Sequence, residues 1–138
     1  MSELVRMSFS IEQPLCKQLE KLVKESRYTN RSEFVRDMIR EQLVNRQWKE
    51  DEDALGTVTL VYNHHKRRLG EKLTRLQHHH HQEILAATHV HLDHDLCAEV
   101  VIIRGHASAI RHIADELRQQ KGVLHAALSM STTGQNLA

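Results

Sequence analysis

The sequence predicts an α+β protein in two parts, a strand–helix–helix segment followed by a β-α-β-β-α-β sandwich. Alternating apolar residues near the N-terminus are typical of a half-buried strand, and apolar residues at helical spacing follow them. Strand and helix patterns then alternate after a charged stretch that ends in Gly. The predicted boundaries are a first domain at 1–47, a linker at 48–56, a second domain at 57–132 and a flexible tail at 133–138.

The first domain begins with a strict alternation of side chains. One face of the predicted strand is apolar (Val5, Met7, Phe9 and Ile11), and the other carries Arg6, Ser8 and Ser10. A single strand and two short helices bury too little apolar surface to be stable alone. We therefore expect a dimer in which two such strands pair antiparallel. A two-stranded ribbon fits the major groove of B-DNA, where the polar face can reach base edges.

The remaining elements follow from periodicity and capping. Helices are predicted over 13–26 and from Asn30, whose side chain can cap the second helix while Glu33 completes a capping-box-like pair. In the second domain we expect strands at 57–62, 84–92, 96–104 and 123–130, with helices at 63–76 and 107–120. This order is that of the ferredoxin-like sandwich.

Histidine is the one unusual component of an otherwise average composition. The 138 residues include 12 His, and the net charge of +1 provides no global basic field for nucleic acid. Two cysteines are too few for a disulfide scaffold, and no apolar run is long enough to span a bilayer, so we expect a cytoplasmic location. The histidines concentrate between residues 64 and 94, which indicates a metal site.

The spacing around residue 90 predicts metal ligands on two neighbouring strands. His89 and His91 lie on one face of a strand, and a three-residue loop at 93–95 would pair His91 with Cys97 and His89 with Glu99. Two imidazoles and a thiolate would then be within reach of one ion, with Glu99 orienting His89. The run His78–His81 offers a fourth ligand from a segment expected to be a mobile loop. These donors suit square-planar Ni(II) or Cu(II), or tetrahedral Zn(II), and the spacing does not choose between nickel and zinc.

Other classes of protein are compatible with parts of this pattern. A metal hydrolase needs an open coordination position and a general base, for which Glu99 is the only candidate, and no substrate pocket can be derived. An antitoxin-type DNA-binding protein usually has a disordered C-terminal half, whereas this half has the pattern of a complete sandwich. A regulator that responds to zinc is the third alternative. We expect a regulator and not an enzyme.

Particular motifs resemble known families. The predicted N-terminal strand at 5–11 and the segment Tyr28–Arg36 resemble the ribbon-helix-helix transcription factors. The segments Val61–Arg67, Gln77–His81 and Thr88–Glu99 resemble the nickel-responsive repressors of the NikR family, and the similarity extends over nearly the whole chain. The resemblance implies an ACT-like regulatory domain, a homotetramer built as a dimer of dimers, and control of nickel uptake genes.

The resemblance also implies residue roles. His89, His91 and Cys97 would be ligands from one subunit and His78 the ligand from another, with one square-planar Ni(II) per subunit. Bases would be contacted by Arg6, Ser8 and Ser10, and phosphates by Asn30, Arg31, Ser32, Lys66 and Arg67. Glu33 and Asp37 would line a potassium site.

The implied mechanism is that nickel orders residues 64–82, so that the basic side chains meet operator DNA. Several histidines receive no role from this scheme (His64, His65, His79, His80, His81 and His94).

Overall fold

The computed structural model describes residues 2–138 and confirms the α+β class. Its elements in chain order are α1 (Gln13–Glu25), α2 (Arg31–Lys49), β1 (Asp53–Asn63), α3 (Leu69–His79), β2 (Ile84–His91), β3 (Leu96–His106), α4 (Ala107–Gln119) and β4 (Val123–Ser131). The chain forms two compact units. We call Met1–Leu43 with Asn136–Ala138 the N-terminal unit, and Val44–Gln135 the C-terminal unit.

The N-terminal unit contains helices but no strand in its described residues. Residues 2–12 lie outside any helix or strand, so the strand predicted over 5–11 is not formed in the single chain. The physical reason is that a strand needs a hydrogen-bonded partner, and none of the described strands pairs with this segment. No residue between 2 and 43 is buried, and Met7 and Phe9 expose 82% and 65% of their surfaces. This unit therefore has no apolar core of its own.

The second helix of the N-terminal unit begins with half of the predicted capping box. The Asn30 side-chain oxygen accepts a hydrogen bond from the Glu33 amide at 2.9 Å, as predicted. The Glu33 carboxylate does not return the bond to Asn30. It accepts one from the Thr29 hydroxyl at 3.4 Å instead.

The C-terminal unit is a four-stranded antiparallel sheet in the order β2-β3-β1-β4. Alternate residues of β1 and β3 are buried on one face, together with the apolar sides of α3 and α4. Leu69 and Leu73 come from α3, and Ile110, Ile113 and Leu117 come from α4. This is the predicted β-α-β-β-α-β order, with both helices contributing to one core.

Two predicted boundaries are corrected by the structure. Helix α2 continues through Trp48 and β1 starts at Asp53, so most of the segment 48–56 predicted as a linker is regular structure. Trp48 is only 2% exposed, and its indole N–H donates to the Ser131 carbonyl at 2.8 Å, so the end of α2 belongs to the core of the C-terminal unit. The run of charged residues 49–53 indicated a linker, although Trp48 and Leu55 on either side of it are large apolar residues.

The helix predicted over 63–76 begins later than expected. Strand β1 extends to Asn63 because Tyr62 and Asn63 still pair with Cys97 and Leu96 of β3, and α3 starts only at Leu69. His78 lies in the last turn of this helix, so the expectation of a mobile loop at that position is wrong. Within residues 2–138, no helix combines the length and apolar character needed to cross a membrane.

Candidate metal centre

The pairing of β2 with β3 fixes which polar side chains share a face. His91 is opposite Cys97 and His89 is opposite Glu99, so the predicted register is confirmed. The loop between the strands is closed by a hydrogen bond from the Leu92 amide to the Leu96 carbonyl at 2.9 Å. Because cross-strand neighbours project to the same side of a sheet, the two imidazoles and the thiol lie on the face that carries the core.

The Asp93 carboxylate holds this loop in place. It accepts hydrogen bonds from the amides of Asp95 and Leu96, both at 2.8 Å. The Leu96 amide, and after it the Asp95 amide, keep the pKa of Asp93 below its usual range. The register of the strands, and with it the position of Cys97, is therefore stabilised by the loop itself.

Cys97 is the most buried of the candidate ligands. Its thiol is fully excluded from solvent and donates to the backbone carbonyl of Tyr62 at 3.5 Å. Burial raises the pKa of Cys97, a hydrogen bond with the Tyr62 side chain lowers it, and the Glu99 carboxylate raises it. The thiol is consequently protonated near neutral pH, and binding of a metal ion there would release this proton.

Tyr62 and Gln77 are site residues that the sequence analysis missed. The Tyr62 hydroxyl lies 3.3 Å from Nδ1 of His89, within hydrogen-bonding distance. Burial raises the pKa of Tyr62, so its hydroxyl stays neutral. The Gln77 amide donates to the Glu99 carboxylate at 3.2 Å. The position of Tyr62 in β1, opposite Cys97 of β3, was the feature that could have identified it as a site residue.

The structure brings the histidine rings into a row but does not bring all predicted ligands together. The ring centroids of His89 and His91 are 5.1 Å apart, and those of His91 and His64 are 5.4 Å apart. Between residues 2 and 138, one set of at least three His, Cys, Asp or Glu side chains has its donor atoms within 4.8 Å of one another, and it comprises His65, His94 and Asp95. The donor atoms of His89, His91 and Cys97 are therefore aligned on one face without converging on a common point.

The remaining histidines of the run 78–81 have other surroundings. His80 is mostly buried, and its Nε2 lies 2.8 Å from the Glu116 carboxylate, which also contacts His112 at 2.6 Å. The hydrogen bond with His80 is the main reason why the pKa of Glu116 lies below its usual range. These contacts link the end of α3 to α4.

The candidate DNA-contacting residues occupy the surface of both units. Arg6, Ser8 and Ser10 are exposed in the extended segment before α1. Asn30 caps α2, and the guanidinium of Arg31 lies 3.9 Å from the Glu20 carboxylate. In the C-terminal unit, the corrected helix boundary places Lys66 and Arg67 in the turn before α3.

The two acids predicted to line a potassium site are both bonded within the N-terminal unit. Asp37 accepts hydrogen bonds from the Tyr28 hydroxyl at 2.5 Å and from Arg40 at 3.1 Å. The Tyr28 bond is the largest cause that keeps the pKa of Asp37 low. Glu33 lies 3.8 Å from Arg36. Both carboxylates thus lie on one side of α2, each beside an arginine of the same helix.

Comparison with known proteins supplies independent findings. The family described as the NikR C-terminal nickel-binding domain matches residues 55–131, and the family described as ribbon-helix-helix protein, copG family, matches residues 5–46. A relative from Geobacter metallireducens is 51% identical over 138 residues, and one from Geotalea uraniireducens is 49% identical, each match covering 99% of both chains. A relative from Caldanaerobacter subterraneus is 47% identical over 97% of this chain and 88% of its own. All three carry the name nickel-responsive regulator.

A solved structure also resembles part of the chain. An uncharacterized protein of Thermotoga maritima superimposes with a TM-score of 0.52, at 15% sequence identity, over 57% of this chain and 98% of its own. At that identity the match supports the fold alone.

Proposed function

This chain belongs to the NikR family, and on that premise we propose that it is a nickel-responsive transcriptional repressor. Nickel would bind in the C-terminal unit, and the N-terminal unit would bind operator DNA at genes for nickel uptake. Family membership identifies the chain as a regulator rather than an enzyme. The observation that carries the proposal is the alignment of His89, His91 and Cys97 on one face of paired strands.

The chemistry of this donor set fits nickel. Imidazole nitrogens and a thiolate suit late first-row metal ions such as Ni(II). His89, His91 and Cys97 would hold the ion from one copy of the chain, and His78 of a second copy would complete the set, with one ion per subunit. Bound nickel would supply positive charge and a link between the two copies. The buried position of Cys97 excludes water, and Tyr62 keeps one nitrogen of His89 occupied so that the other faces the ion.

The absence of a core between residues 2 and 43 supports a dimeric DNA-binding unit. Exposed apolar side chains such as Val5, Met7 and Phe9 would be covered when the extended segments of two copies pair as antiparallel strands. Pairing would then present Arg6, Ser8 and Ser10 on the opposite face for base contacts. Phosphates would be held at the start of α2 by Asn30, Arg31 and Ser32, because a helix N-terminus favours anions, and near the C-terminal unit by Lys66 and Arg67.

The face of the sheet opposite α3 and α4 supports assembly of the C-terminal units. Val90 on β2 is 47% exposed, and Val61, Val100 and Ile102 on the same face are only half-buried. An apolar sheet face of this kind is stabilised when another copy covers it. We propose that it contributes to a homotetramer formed from two DNA-binding dimers.

We propose a potassium site on α2. Glu33 and Asp37 provide carboxylate oxygens there, and a K⁺ ion would compete with Arg36 and Arg40 for them. Replacing K⁺ by a bulky organic cation at constant ionic strength should weaken operator binding in the wild type but not in Asp37→Asn.

The whole proposal is tested by titrating the metal-free protein with Ni(II) while following visible absorption and operator footprinting. We expect a thiolate-to-nickel charge-transfer band together with nickel-dependent protection of DNA. Both are lost in Cys97→Ala because the only sulfur donor of the set is removed. Cys16→Ala is the matched control, since Cys16 lies on α1 in the other unit, and it retains both signals. Tight operator binding that neither nickel nor Cys97→Ala changes would contradict the proposal.

A further inference from the structure

His80 is the residue at which α3 ends and the turn to β2 begins. Its amide donates to the Gln77 carbonyl at 3.1 Å and so closes the last turn of the helix. Its carbonyl accepts hydrogen bonds from the amides of Glu83 at 3.1 Å and Ile84 at 3.0 Å, where the chain enters β2. His80 therefore holds the backbone on both sides of the turn, and His78 lies only two residues before it.

The side chain of His80 is held by α4. Nε2 of His80 lies 2.8 Å from one oxygen of the Glu116 carboxylate, and only 16% of the His80 side chain is exposed. The other oxygen of this carboxylate lies 2.6 Å from Nε2 of His112, which is one turn earlier on the same helix. Because each oxygen has an imidazole partner, rotation of the carboxylate away from His80 would break two contacts at once. We call the contact between Glu116 and His80 the His80 clamp.

A second contact fixes the other side of His78. The side-chain amide of Gln77 donates to the Glu99 carboxylate of β3 at 3.2 Å. Between this contact and the His80 clamp, the side chains of His78 and His79 are exposed. The last turn of α3 is thus fastened to β3 and to α4 by the residues that flank His78, while His78 itself points away from the core.

On the basis of the proposed function, in which His78 binds the ion of a second copy, we propose that Glu116 is a positioning residue for that ligand. It acts through His80, which it keeps in place at the end of α3. A helix end that frays has to be ordered again when the ion binds, and this ordering lowers the affinity. With the His80 clamp in place, the metal-free protein already holds His78 in the orientation that binds, so a larger fraction of the molecules is competent.

The test is a double-mutant cycle in nickel affinity, measured on the full-length, metal-free protein by competition with a chromophoric chelator. Glu116→Ala should weaken the Kd for Ni(II) by about 5- to 10-fold, the net contribution of about one hydrogen bond. It should keep the thiolate-to-nickel band, because Cys97 lies on β3 and not on α3. His78→Ala should weaken binding by itself. In the His78→Ala background, Glu116→Ala should change the Kd by less than about twofold, since the ligand through which it acts is gone.

Matched variants separate positioning from a general loss of stability. Asp115→Ala removes the neighbouring carboxylate of α4, which lies 2.7 Å from Arg118 of the same helix, and should leave the Kd unchanged. Glu116→Gln keeps an acceptor oxygen for His80 and should retain most of the affinity that Glu116→Ala loses. His80→Ala breaks the same clamp from the side of α3 and should weaken the Kd as Glu116→Ala does. Thermal unfolding of each metal-free variant shows whether it is folded at the temperature of the titration.

The outcomes that refute the role of Glu116 differ from those that refute the proposed ligand set. An unchanged Kd in folded Glu116→Ala would refute it, and so would equal losses in Glu116→Ala and Asp115→Ala or in Glu116→Ala and Glu116→Gln. An undiminished loss in the His78→Ala background would show that Glu116 does not act through His78. A wild type without a charge-transfer band, or a His78→Ala protein that binds nickel as tightly as the wild type, would contradict the proposed function itself, and both results come from proteins that retain Glu116.

Discussion

Tyr62→Phe isolates the contribution of the residue that connects two proposed nickel ligands. The substitution removes the hydroxyl that lies 3.3 Å from Nδ1 of His89, and it keeps the buried ring. It also keeps the backbone carbonyl that accepts the hydrogen bond from Cys97. A change in metal binding can then be attributed to the hydroxyl, through His89 or through its hydrogen bond with the Cys97 thiol, rather than to packing.

The expected magnitude follows from this one contact. When the hydroxyl oxygen accepts a hydrogen bond from Nδ1–H, the free lone pair of the His89 ring lies on Nε2, where it can face an ion. Losing one such hydrogen bond costs about 1 kcal/mol, which corresponds to about a fivefold weaker Kd. Outer partners of metal-bound histidines often contribute more, about 10- to 100-fold, because they also fix the ring and raise its basicity. We therefore expect nickel affinity to fall by about 5- to 100-fold.

The assay is a competition titration of the metal-free protein against a chromophoric nickel chelator at fixed pH. Tyr28→Phe is the matched control, since it removes a tyrosine hydroxyl bonded to Asp37 in the N-terminal unit and should leave nickel affinity unchanged. Thermal unfolding of both variants shows whether folding is intact. A Tyr62→Phe protein that folds and binds nickel as tightly as the wild type, or more tightly, would refute the reasoning, because the hydroxyl would then be neutral or a competitor of the ion.

Two further predictions concern the scaffold that positions the site. Gly56→Ala should lower the free energy of unfolding by about 1–3 kcal/mol, because the new Cβ would stand 2.8 Å from Cγ2 of Ile110. Gly70→Ala in α3 adds a Cβ that meets nothing within 4 Å, so this substitution should raise the free energy of unfolding by up to about 1 kcal/mol. Chemical denaturation of both variants checks the opposite signs. Glu116→Gln should lower stability by up to about 1 kcal/mol by removing the carboxylate bonded to His80. Because the pKa of Glu116 is lowered in the folded state, the wild type should be more stable than Glu116→Gln above the ordinary pKa of the carboxyl. This difference in stability should disappear as the pH falls through the lowered pKa. Unfolding curves of the two proteins that stay equally separated at low pH would contradict the stabilising role of the Glu116 carboxylate.

The order and pairing of the elements could be predicted because they depend on local signals. Alternation and helical spacing identified all four strands and both helices of the C-terminal unit, and a three-residue loop was enough to place His91 opposite Cys97. The boundary errors have a common cause. Tyr62 and Asn63 remain in β1 because β3 pairs with them, and Trp48 is drawn into a core that no local pattern reveals.

The strand predicted at 5–11 illustrates a different limit. Its alternation is unmistakable in the sequence, yet the segment forms no strand in the single chain because the hydrogen-bond partner would have to come from another copy. The exposed apolar side chains of Met7 and Phe9 show the same lack of a packing partner. The pattern therefore supports the proposed pairing of this segment with a second copy.

By itself, the sequence determined the α+β class and the order of the elements, and it indicated candidate ligands, since periodicity, turn length and residue chemistry are local properties. Only the tertiary structure decided that Tyr62 contacts both His89 and Cys97, that Glu99 is held by Gln77, and that His65 meets His94 and Asp95. These contacts join segments that are distant in sequence, and their geometry depends on how the sheet, the loops and the helices pack together. A list of histidines therefore indicated a metal-binding protein, while the pairing of the strands showed which of them share a face with Cys97.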